Sequence, residues 1–325
     1  MSDKTGIEWT SATWPIVQGC TPLDQGCAHC YVPPVLYRMA HNPNPKVSAH
    51  LHGLAERYTP ASGKTITRFT GIVALRHDRL GWPAMWKKPR YIFVPSHGDL
   101  FHKDVPDEFI DKVFAEMWRC SWHEFQVLTR RISRMRQYLS ASDRAERIAA
   151  AVTGVGRIGV HVTLPLENVW CGTSVPDQPT FDERTPELRA TPAAIRFLSI
   201  EPLLGRVDAT TAMGWLDWAI VGGESGSKAR PMHPDWPRLI RDQCESAGVP
   251  FFFKQWGEFA PEGHPDAGSW LIAPDGTAEQ RPNPTWVHAT PRPGHAWVYR
   301  VGKKAAGRLL EGRLHDEMPR RLRAA

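Results

Sequence analysis

The chain has 325 residues, of which 42% are hydrophobic and 23% charged, with a formal net charge of +6. This composition is typical of a globular protein with a substantial core, and no apolar run is long enough to cross a membrane, which excludes a membrane partner. The N-terminus lacks the basic and apolar stretches of a secretory signal. We therefore expect a cytoplasmic protein, in which the six cysteines are thiols or metal ligands rather than disulfides.

Basic residues are concentrated in two segments. Residues 301–325 carry seven lysines and arginines against three acids, and a second cluster follows the apolar run FQVLT. The two sets are Lys303, Lys304, Arg308, Arg313, Arg320, Arg321 and Arg323, and Arg130, Arg131, Arg134 and Arg136. Such clusters predict a polyanionic partner, namely DNA, RNA or a nucleotide. A solvated surface that only promotes solubility is the alternative that the sequence leaves open. The basic residues of the tail are interrupted by Leu309, Leu310 and Leu314, which predicts a short helix with its apolar face on the protein body and its basic face outward.

From about residue 90 the sequence alternates between buried strands and amphipathic helices. Short apolar runs predict strands at Tyr91–Val94, Phe125–Leu128, Val169–Cys171, Arg196–Ile200, Trp218–Val221 and Phe251–Phe253. Helical periodicity predicts a helix over 106–119 and another over Pro234–Ala247, the second ended by Gly248. This alternation predicts parallel pairing in an α/β fold. We expect a full or partial (β/α) barrel of the TIM type, with an open doubly wound sheet as the alternative.

Two stretches interrupt this alternation. Residues 42–88 are rich in proline, histidine and aromatic residues, and residues 258–296 are rich in proline and glycine around a predicted hairpin, SWLIAPDGT. No clean linker separates them from the rest of the chain. We therefore expect one domain over residues 1–300 with irregular insertions at about 42–88 and 258–296, followed by a basic tail over 301–325.

Polar or glycine-containing segments follow each predicted strand. They are SHGDLFH (96–102), TRR (129–131), GTSV (172–175), EP (201–202), GGESG (222–226) and KQWG (254–257). Parallel α/β enzymes place their chemistry at the carboxyl ends of the strands. Glycine and proline can serve only to turn the chain, but a turn does not require Ser96, Glu201 or Lys254.

Three cysteines form the pattern C-x6-C-x2-C at Cys20, Cys27 and Cys30, and glycine precedes the first two. A zinc site normally closes with four ligands, so His29 or a distant residue would have to complete it. A [4Fe–4S] cluster can use three thiolates and leave one iron open. The pattern favours the cluster, and a chance grouping of thiols is the third alternative. The remaining cysteines are predicted to be buried packing residues, namely Cys120, Cys171 and Cys244.

Several segments carry a resemblance to a known family. They are TGIEWTSATWPIVQGCTPLDQGCAHCY, FVPSHGDLFHKDVP, FQVLTRR, NVWCGTSVPDQ, RFLSIEPLLG, DWAIVGGESGSKARPMHPDW, GVPFFFKQWGE and VGKKAAGRLLEGR. They resemble an uncharacterised family of phage and bacterial proteins with a three-cysteine motif. Its members look like divergent radical S-adenosylmethionine (SAM) enzymes. The resemblance extends from Thr5 to about Pro319.

The resemblance implies that Cys20, Cys27 and Cys30 hold a [4Fe–4S] cluster whose fourth iron binds SAM. An electron donor would reduce the cluster, and a deoxyadenosyl radical from SAM would act on a nucleotide or nucleic-acid substrate. To SAM binding we assign Tyr31, Ser96, Asp99, Gly222, Gly223, Glu224 and Ser225. To catalysis we assign Asp99, Glu201 and Lys254. A core aromatic is the alternative role for Tyr31.

The sequence departs from the usual radical SAM pattern in two ways. The common spacing is C-x3-C-x2-C, and the usual Gly-Gly-Glu follows the second strand, whereas here Gly222–Glu224 comes much later. By chain order Asp99 takes that place. Two other functions stay open. One is a zinc-stabilised nucleic-acid-binding protein without catalysis, which has little need of acids at strand ends. The other is a hydrolase that uses Asp99, Glu201 and Glu224, which leaves the cysteines without a role.

Overall fold

The computed structural model describes residues 5–61, 63–153, 159–263, 268–281 and 291–319. The chain divides into two compact units. Unit 1 comprises Met1–Thr173 with Ala190–Ala194, and unit 2 comprises Ser174–Arg189 with Ile195–Ala325. The single domain that the sequence predicts over residues 1–300 stays a prediction. Among the described helices, none combines the length and apolarity of a membrane span.

Unit 1 contains the first nine strands and six helices in chain order. The strands are β1 (Ala12–Thr13), β2 (Val17–Gly19), β3 (Ala55–Tyr58), β4 (Ile66–Phe69), β5 (Ala74–Leu75), β6 (Tyr91–Val94), β7 (His97–Gly98), β8 (Glu124–Thr129) and β9 (Val169–Ser174). The helices are α1 (Val32–Ala40), α2 (Pro45–Ser48), α3 (Trp82–Met85), α4 (Asp107–Arg119), α5 (Ile132–Ser140) and α6 (Arg144–Thr153).

Unit 2 contains the remaining elements. The strands are β10 (Ile195–Ile200), β11 (Trp218–Gly222), β12 (Phe251–Gln255), β13 (Phe259–Ala260), β14 (Ser269–Ile272), β15 (Ala278–Arg281) and β16 (Ala296–Arg300). The helices are α7 (Gln178–Ala190), α8 (Asp235–Ala247) and α9 (Lys303–Ala306).

The main sheet has seven strands in the order β1-β6-β8-β9-β10-β11-β12. The pairs β1–β6, β6–β8 and β8–β9 in unit 1 run parallel, as do β10–β11 and β11–β12 in unit 2. An α/β fold with a parallel sheet is thereby confirmed, and the sheet is compatible with a partial barrel. A complete TIM barrel stays a prediction.

The predicted strands of this sheet and the two predicted helices are confirmed, with boundaries that move by at most three residues. Helix α4 begins after Pro106, and Asp107 and Glu108 in its first turn favour the positive end of the helix dipole. Its apolar face is buried, with Phe109, Ile110, Val113, Phe114 and Met117 all inside. Helix α8 ends at Gly248, whose φ of 69° is the left-handed conformation that glycine adopts readily.

The two predicted insertions contain short regular elements. Residues 42–88 carry α2, α3, the antiparallel hairpin β3–β4 and strand β5. Residues 258–296 contain the predicted hairpin as β14–β15, in a four-stranded sheet of order β13-β16-β14-β15. The cysteines outside the motif are buried as predicted, namely Cys120, Cys171 and Cys244.

Two backbone segments of unit 2 cross at a distance that only glycine allows. A Cβ at Gly223 would lie 2.0 Å from the carbonyl oxygen of Trp256. A Cβ at Gly257 would lie 2.1 Å from the carbonyl oxygen of Glu224, and Gly257 has a φ of 87°. Position 223 must therefore be glycine, because the end of β11 packs directly against the residues that follow β12.

We expect Gly223→Ala to lower the free energy of unfolding by about 2 kcal/mol, because the added methyl forces the two segments apart. Urea denaturation measures the change. The matched control is Gly214→Ala, since a Cβ at Gly214 meets nothing within 4 Å. Equal unfolding midpoints for the two variants would contradict the packing explanation.

Candidate functional site

The three motif cysteines lie on one loop, residues 19–31, which we call the cysteine loop. Cys20 directly follows β2, Cys27 ends a single 3-10 turn, and Cys30 comes shortly before α1. The side chain of Asp24 caps the 3-10 turn by accepting a hydrogen bond from the Gly26 amide at 2.8 Å. All three cysteines are partly exposed residues.

Strand pairing places the cysteine loop beside Asp99. Strand β2 pairs in parallel with β7, with Gln18 opposite His97 and Gly19 opposite Gly98. Cys20 and Asp99 are therefore the first residues beyond two neighbouring strand ends. A Cβ at Gly98 would lie 2.8 Å from the carbonyl oxygens of Val17 and Gly19, so this close approach requires glycine.

The buried carboxylate of Asp99 holds the turn that follows β8. One oxygen accepts hydrogen bonds from the Thr129 hydroxyl at 2.6 Å and the Phe101 amide at 2.9 Å. The other accepts from Arg131 Nη1 at 2.9 Å and from the Arg130 amide at 3.3 Å. Both oxygens are thus engaged within the protein, which gives Asp99 a positioning role. Its predicted contact with SAM stays a prediction.

Two consecutive arginines hold the two halves of the cysteine loop. Arg131 Nη1 donates to Cys20 Sγ at 3.5 Å, and Nη2 donates to the Thr21 carbonyl and hydroxyl at 2.9 and 2.8 Å. Arg130 Nη1 donates to both carboxylate oxygens of Asp24 at 3.0 and 2.9 Å. A Cβ at Gly26 would lie 2.9 Å from the Arg130 guanidinium, so glycine leaves space for this contact.

Three arginines of the second basic cluster form ion pairs within unit 1, and the role of the cluster as a surface for a polyanion stays a prediction. Arg130 pairs with Asp24, Arg131 with Asp99, and Arg134 with Asp107. Arg134 also donates to the carbonyl oxygens of His102 and Val105. The positive charge of all three is offset locally by a carboxylate. A phosphate of a nucleic-acid backbone would therefore gain little binding free energy from these three arginines.

Burial raises the pKa of the Cys20 thiol to about 11, an effect to which Asp99 adds and which Arg131 opposes. Burial also raises the pKa of Cys30 to about 11. Both thiols are consequently protonated at neutral pH. Because metal ligation requires thiolates, binding of a metal centre here is coupled to proton release.

Tyr31 lies on the surface next to Cys30. Its side chain is 58% exposed, which excludes the alternative of a core aromatic. Its hydroxyl donates to the Ser96 carbonyl at 3.2 Å, which joins the cysteine loop to the segment after β6. The hydroxyl of Ser96 is buried and has no hydrogen-bond partner within the described ranges. The assignment of both residues to SAM binding stays a prediction.

The donor set of the cysteine loop bears on the choice between zinc and a cluster. Within the described part of the chain, no three His, Cys, Asp or Glu side chains converge as ligands of one metal ion. A structural zinc site requires four ligands around a single ion. In a cubane cluster each thiolate binds a different iron, so the sulfurs need not converge on one point. The choice between zinc and a [4Fe–4S] cluster therefore stays a prediction.

Unit 2 brings together a second group of predicted residues at the ends of β10, β11 and β12. Lys254 Nζ donates to Glu201 Oε1 at 2.7 Å, and both side chains are 16% exposed. A Cβ at Gly222 would lie 3.2 Å from Glu201 Oε1. Glycine at this position therefore lets the Glu201–Lys254 pair cross the middle strand.

The remaining predicted residues of unit 2 have partners inside the unit. The side-chain amide of Gln255 donates to Ser225 Oγ at 2.9 Å and to the Gly223 carbonyl at 3.2 Å. Arg230 Nη2 donates to Glu224 Oε1 at 2.7 Å, and its Nε donates to Glu224 Oε2 at 2.9 Å. The roles of Gly222, Gly223, Glu224 and Ser225 in SAM binding stay predictions. Sequence analysis missed Gln255 and Arg230, although both lie within or beside the predicted polar loops.

The described part of the basic tail is largely integrated into unit 2. Arg308 donates to the carbonyl oxygens of Phe253 and Lys254 and forms an ion pair with Asp316. Arg313 pairs with Glu317. The helix α9 covers only Lys303–Ala306, so the predicted helix through Leu309, Leu310 and Leu314 is wrong. Lys303 and Lys304 are exposed, and Arg320, Arg321 and Arg323 lie outside the described residues.

Comparison with known proteins places the chain in a family. A family model described as "Protein of unknown function (DUF5131)" matches residues 4–319, and the chain belongs to this family. No curated protein and no solved structure matches the chain. The family match agrees with the sequence resemblance in its extent and in the absence of an assigned reaction.

We expect Arg130→Met to loosen the cysteine loop, because Asp24 then lacks the cation that holds it. The variant should lose about 2 kcal/mol of unfolding free energy, a value between those of exposed and fully buried ion pairs. The reaction of the metal-free protein with a thiol reagent should accelerate severalfold. Arg119→Met is the matched control, since Arg119 pairs with Glu116 on α4. Equal thiol reaction rates in both variants would rule out this role of Arg130.

Proposed function

We propose that the protein is a radical SAM iron–sulfur enzyme whose [4Fe–4S] cluster is held by Cys20, Cys27 and Cys30. The observation that carries the proposal is the cysteine loop itself. It offers three thiols at the end of a strand, positioned by Arg130 and Arg131. Three thiolates leave one iron of a cluster without a protein ligand, which is the arrangement that a substrate-binding cluster needs.

The electrostatics of the loop support a redox centre rather than a solvent-exposed ion. Arg131 directs a guanidinium nitrogen at Cys20 Sγ, and Arg130 lies against the turn that precedes Cys27. A cluster with thiolate ligands carries net negative charge, which nearby cations and N–H donors stabilise. Asp99 holds the guanidinium of Arg131 in place, and Asp24 holds that of Arg130.

The bound cluster and SAM together supply one-electron cleavage of a sulfonium bond and a deoxyadenosyl radical. The task of the chain is to bind, orient and exclude water. We assign to Tyr31 contact with the nucleoside, because its exposed ring lies beside Cys30 and its hydroxyl is fixed by Ser96. We retain Ser96, Glu224, Ser225 and the glycines Gly222 and Gly223 as candidate SAM contacts.

Glu201 and Lys254 are proposed as the catalytic pair that acts on the substrate. Their side chains are within proton-transfer distance and remain partly exposed. A carboxylate and an ammonium group in contact can hold or move a proton at a substrate atom. Gln255 fixes the neighbouring segment by donating to Ser225 and Gly223.

A nucleotide or a nucleic acid is the proposed class of substrate. The support is the net charge of +6 and the exposed pair Lys303 and Lys304. The internal ion pairs of Arg130, Arg131, Arg134, Arg308 and Arg313 reduce this support. A substrate with few phosphates is therefore favoured over a long duplex.

We expect protein prepared without oxygen to contain about four irons with equimolar sulfide. After reduction, it should convert SAM to 5′-deoxyadenosine and methionine. Cys20→Ala, Cys27→Ala and Cys30→Ala should each abolish both properties. Cys244→Ala is the control, because Cys244 is buried in the core of unit 2 and lies outside the three-cysteine motif. Stoichiometric zinc without iron, or iron without any SAM cleavage, would contradict the proposal.

A further inference from the structure

The contact between Arg131 and Cys20 carries an inference that rests on the proposed function and deepens it. The side chain of Arg131 donates to a motif cysteine, with Nη1 at 3.5 Å from Cys20 Sγ. The same nitrogen donates to Asp99 Oδ2 at 2.9 Å. Arg131 therefore joins a buried carboxylate to the sulfur of one proposed cluster ligand.

We propose that Arg131 is a positioning residue that tunes the reduction potential of the cluster through Cys20 Sγ. Hydrogen bonds to ligand sulfurs and net local charge are the principal ways in which proteins set such potentials. Reduction adds one negative charge to the cluster. A guanidinium that donates to a ligand sulfur stabilises the reduced state more than the oxidised state, and so raises the potential.

The geometry makes this contact rigid. Arg131 Nη2 is bound to the carbonyl and hydroxyl oxygens of Thr21, at 2.9 and 2.8 Å. The Thr21 hydroxyl is in turn 2.9 Å from Nε2 of the buried His102. The Arg131 amide donates to Thr129 Oγ1 at 2.9 Å, and Thr129 is bound to Asp99. The guanidinium therefore has a fixed position, and its effect on Cys20 is not averaged over rotamers.

The buried carboxylate of Asp99 limits the size of the effect. Asp99 offsets part of the positive charge of Arg131, to which it is bound at 2.9 Å. The pair therefore acts mainly through a directed hydrogen bond to sulfur, with a smaller contribution from net charge. Loss of the arginine alone leaves the negative charge of Asp99 beside the cluster, which disfavours reduction further.

The test is a redox titration of the anaerobically prepared full chain with dithionite, followed by EPR spectroscopy. We expect Arg131→Met to retain iron and to lower the equilibrium constant for one-electron reduction about tenfold, which corresponds to a midpoint potential about 59 mV more negative. Arg131→Lys keeps the charge and the ion pair with Asp99. Its potential should lie between those of the wild type and Arg131→Met.

Arg134→Met is the matched control, because Arg134 lies in the first turn of α5, which begins directly after Arg131, and contacts His102, Val105 and Asp107 instead of a cysteine. Its potential should equal that of the wild type. A potential for Arg131→Met equal to that of the control would overturn the inference and leave the proposed function intact. Wild-type protein without any cluster would overturn both. If both Arg131 variants fold but hold no iron, Arg131 is needed for assembly, and the tuning role is overturned.

Discussion

The buried carboxylate of Asp99 is the constraint on which the cysteine loop depends. Its side chain is almost fully enclosed, and its four donors come from the segment after β7 and from the turn after β8. Removing one partner of a buried pair such as Asp99–Arg131 typically costs about 3 kcal/mol or more. The pair therefore fixes the turn that directs Arg131 at Cys20 and Arg130 at Asp24.

Glycine is the second constraint, because it lets polar side chains approach across neighbouring strands. In unit 1, Gly98 allows β7 to approach β2, so that Asp99 and Cys20 leave neighbouring strand ends. In unit 2, Gly222 allows Glu201 to reach Lys254. Gly98 and Gly222 are explained by the space that their lack of a side chain leaves for neighbouring groups, not by a turn of the chain. The glycine-containing segments are thus required by packing as well as by any ligand.

The sequence predicts the sheet well and the side-chain pairing poorly. The six predicted strands are confirmed because buried parallel strands are continuous apolar runs, which are visible without tertiary information. The partners of Arg130 and Arg131 depend on strand order, since Asp24 lies 106 residues from Arg130. The hydrophobic periodicity of the sequence gives no information about the order of the strands in the sheet. The tail helix was predicted from its leucines, but Gly307, with a φ of 67°, ends the helix before Leu309.

The central claim is that three thiolates of the cysteine loop hold a cluster with one open iron. Mössbauer spectroscopy of iron-57-labelled protein, prepared without oxygen and measured with and without SAM, tests it most directly. The account predicts that SAM changes the parameters of about one iron in four, because only one iron lacks a protein ligand. A spectrum that SAM leaves unchanged, with four equivalent irons, would contradict the account.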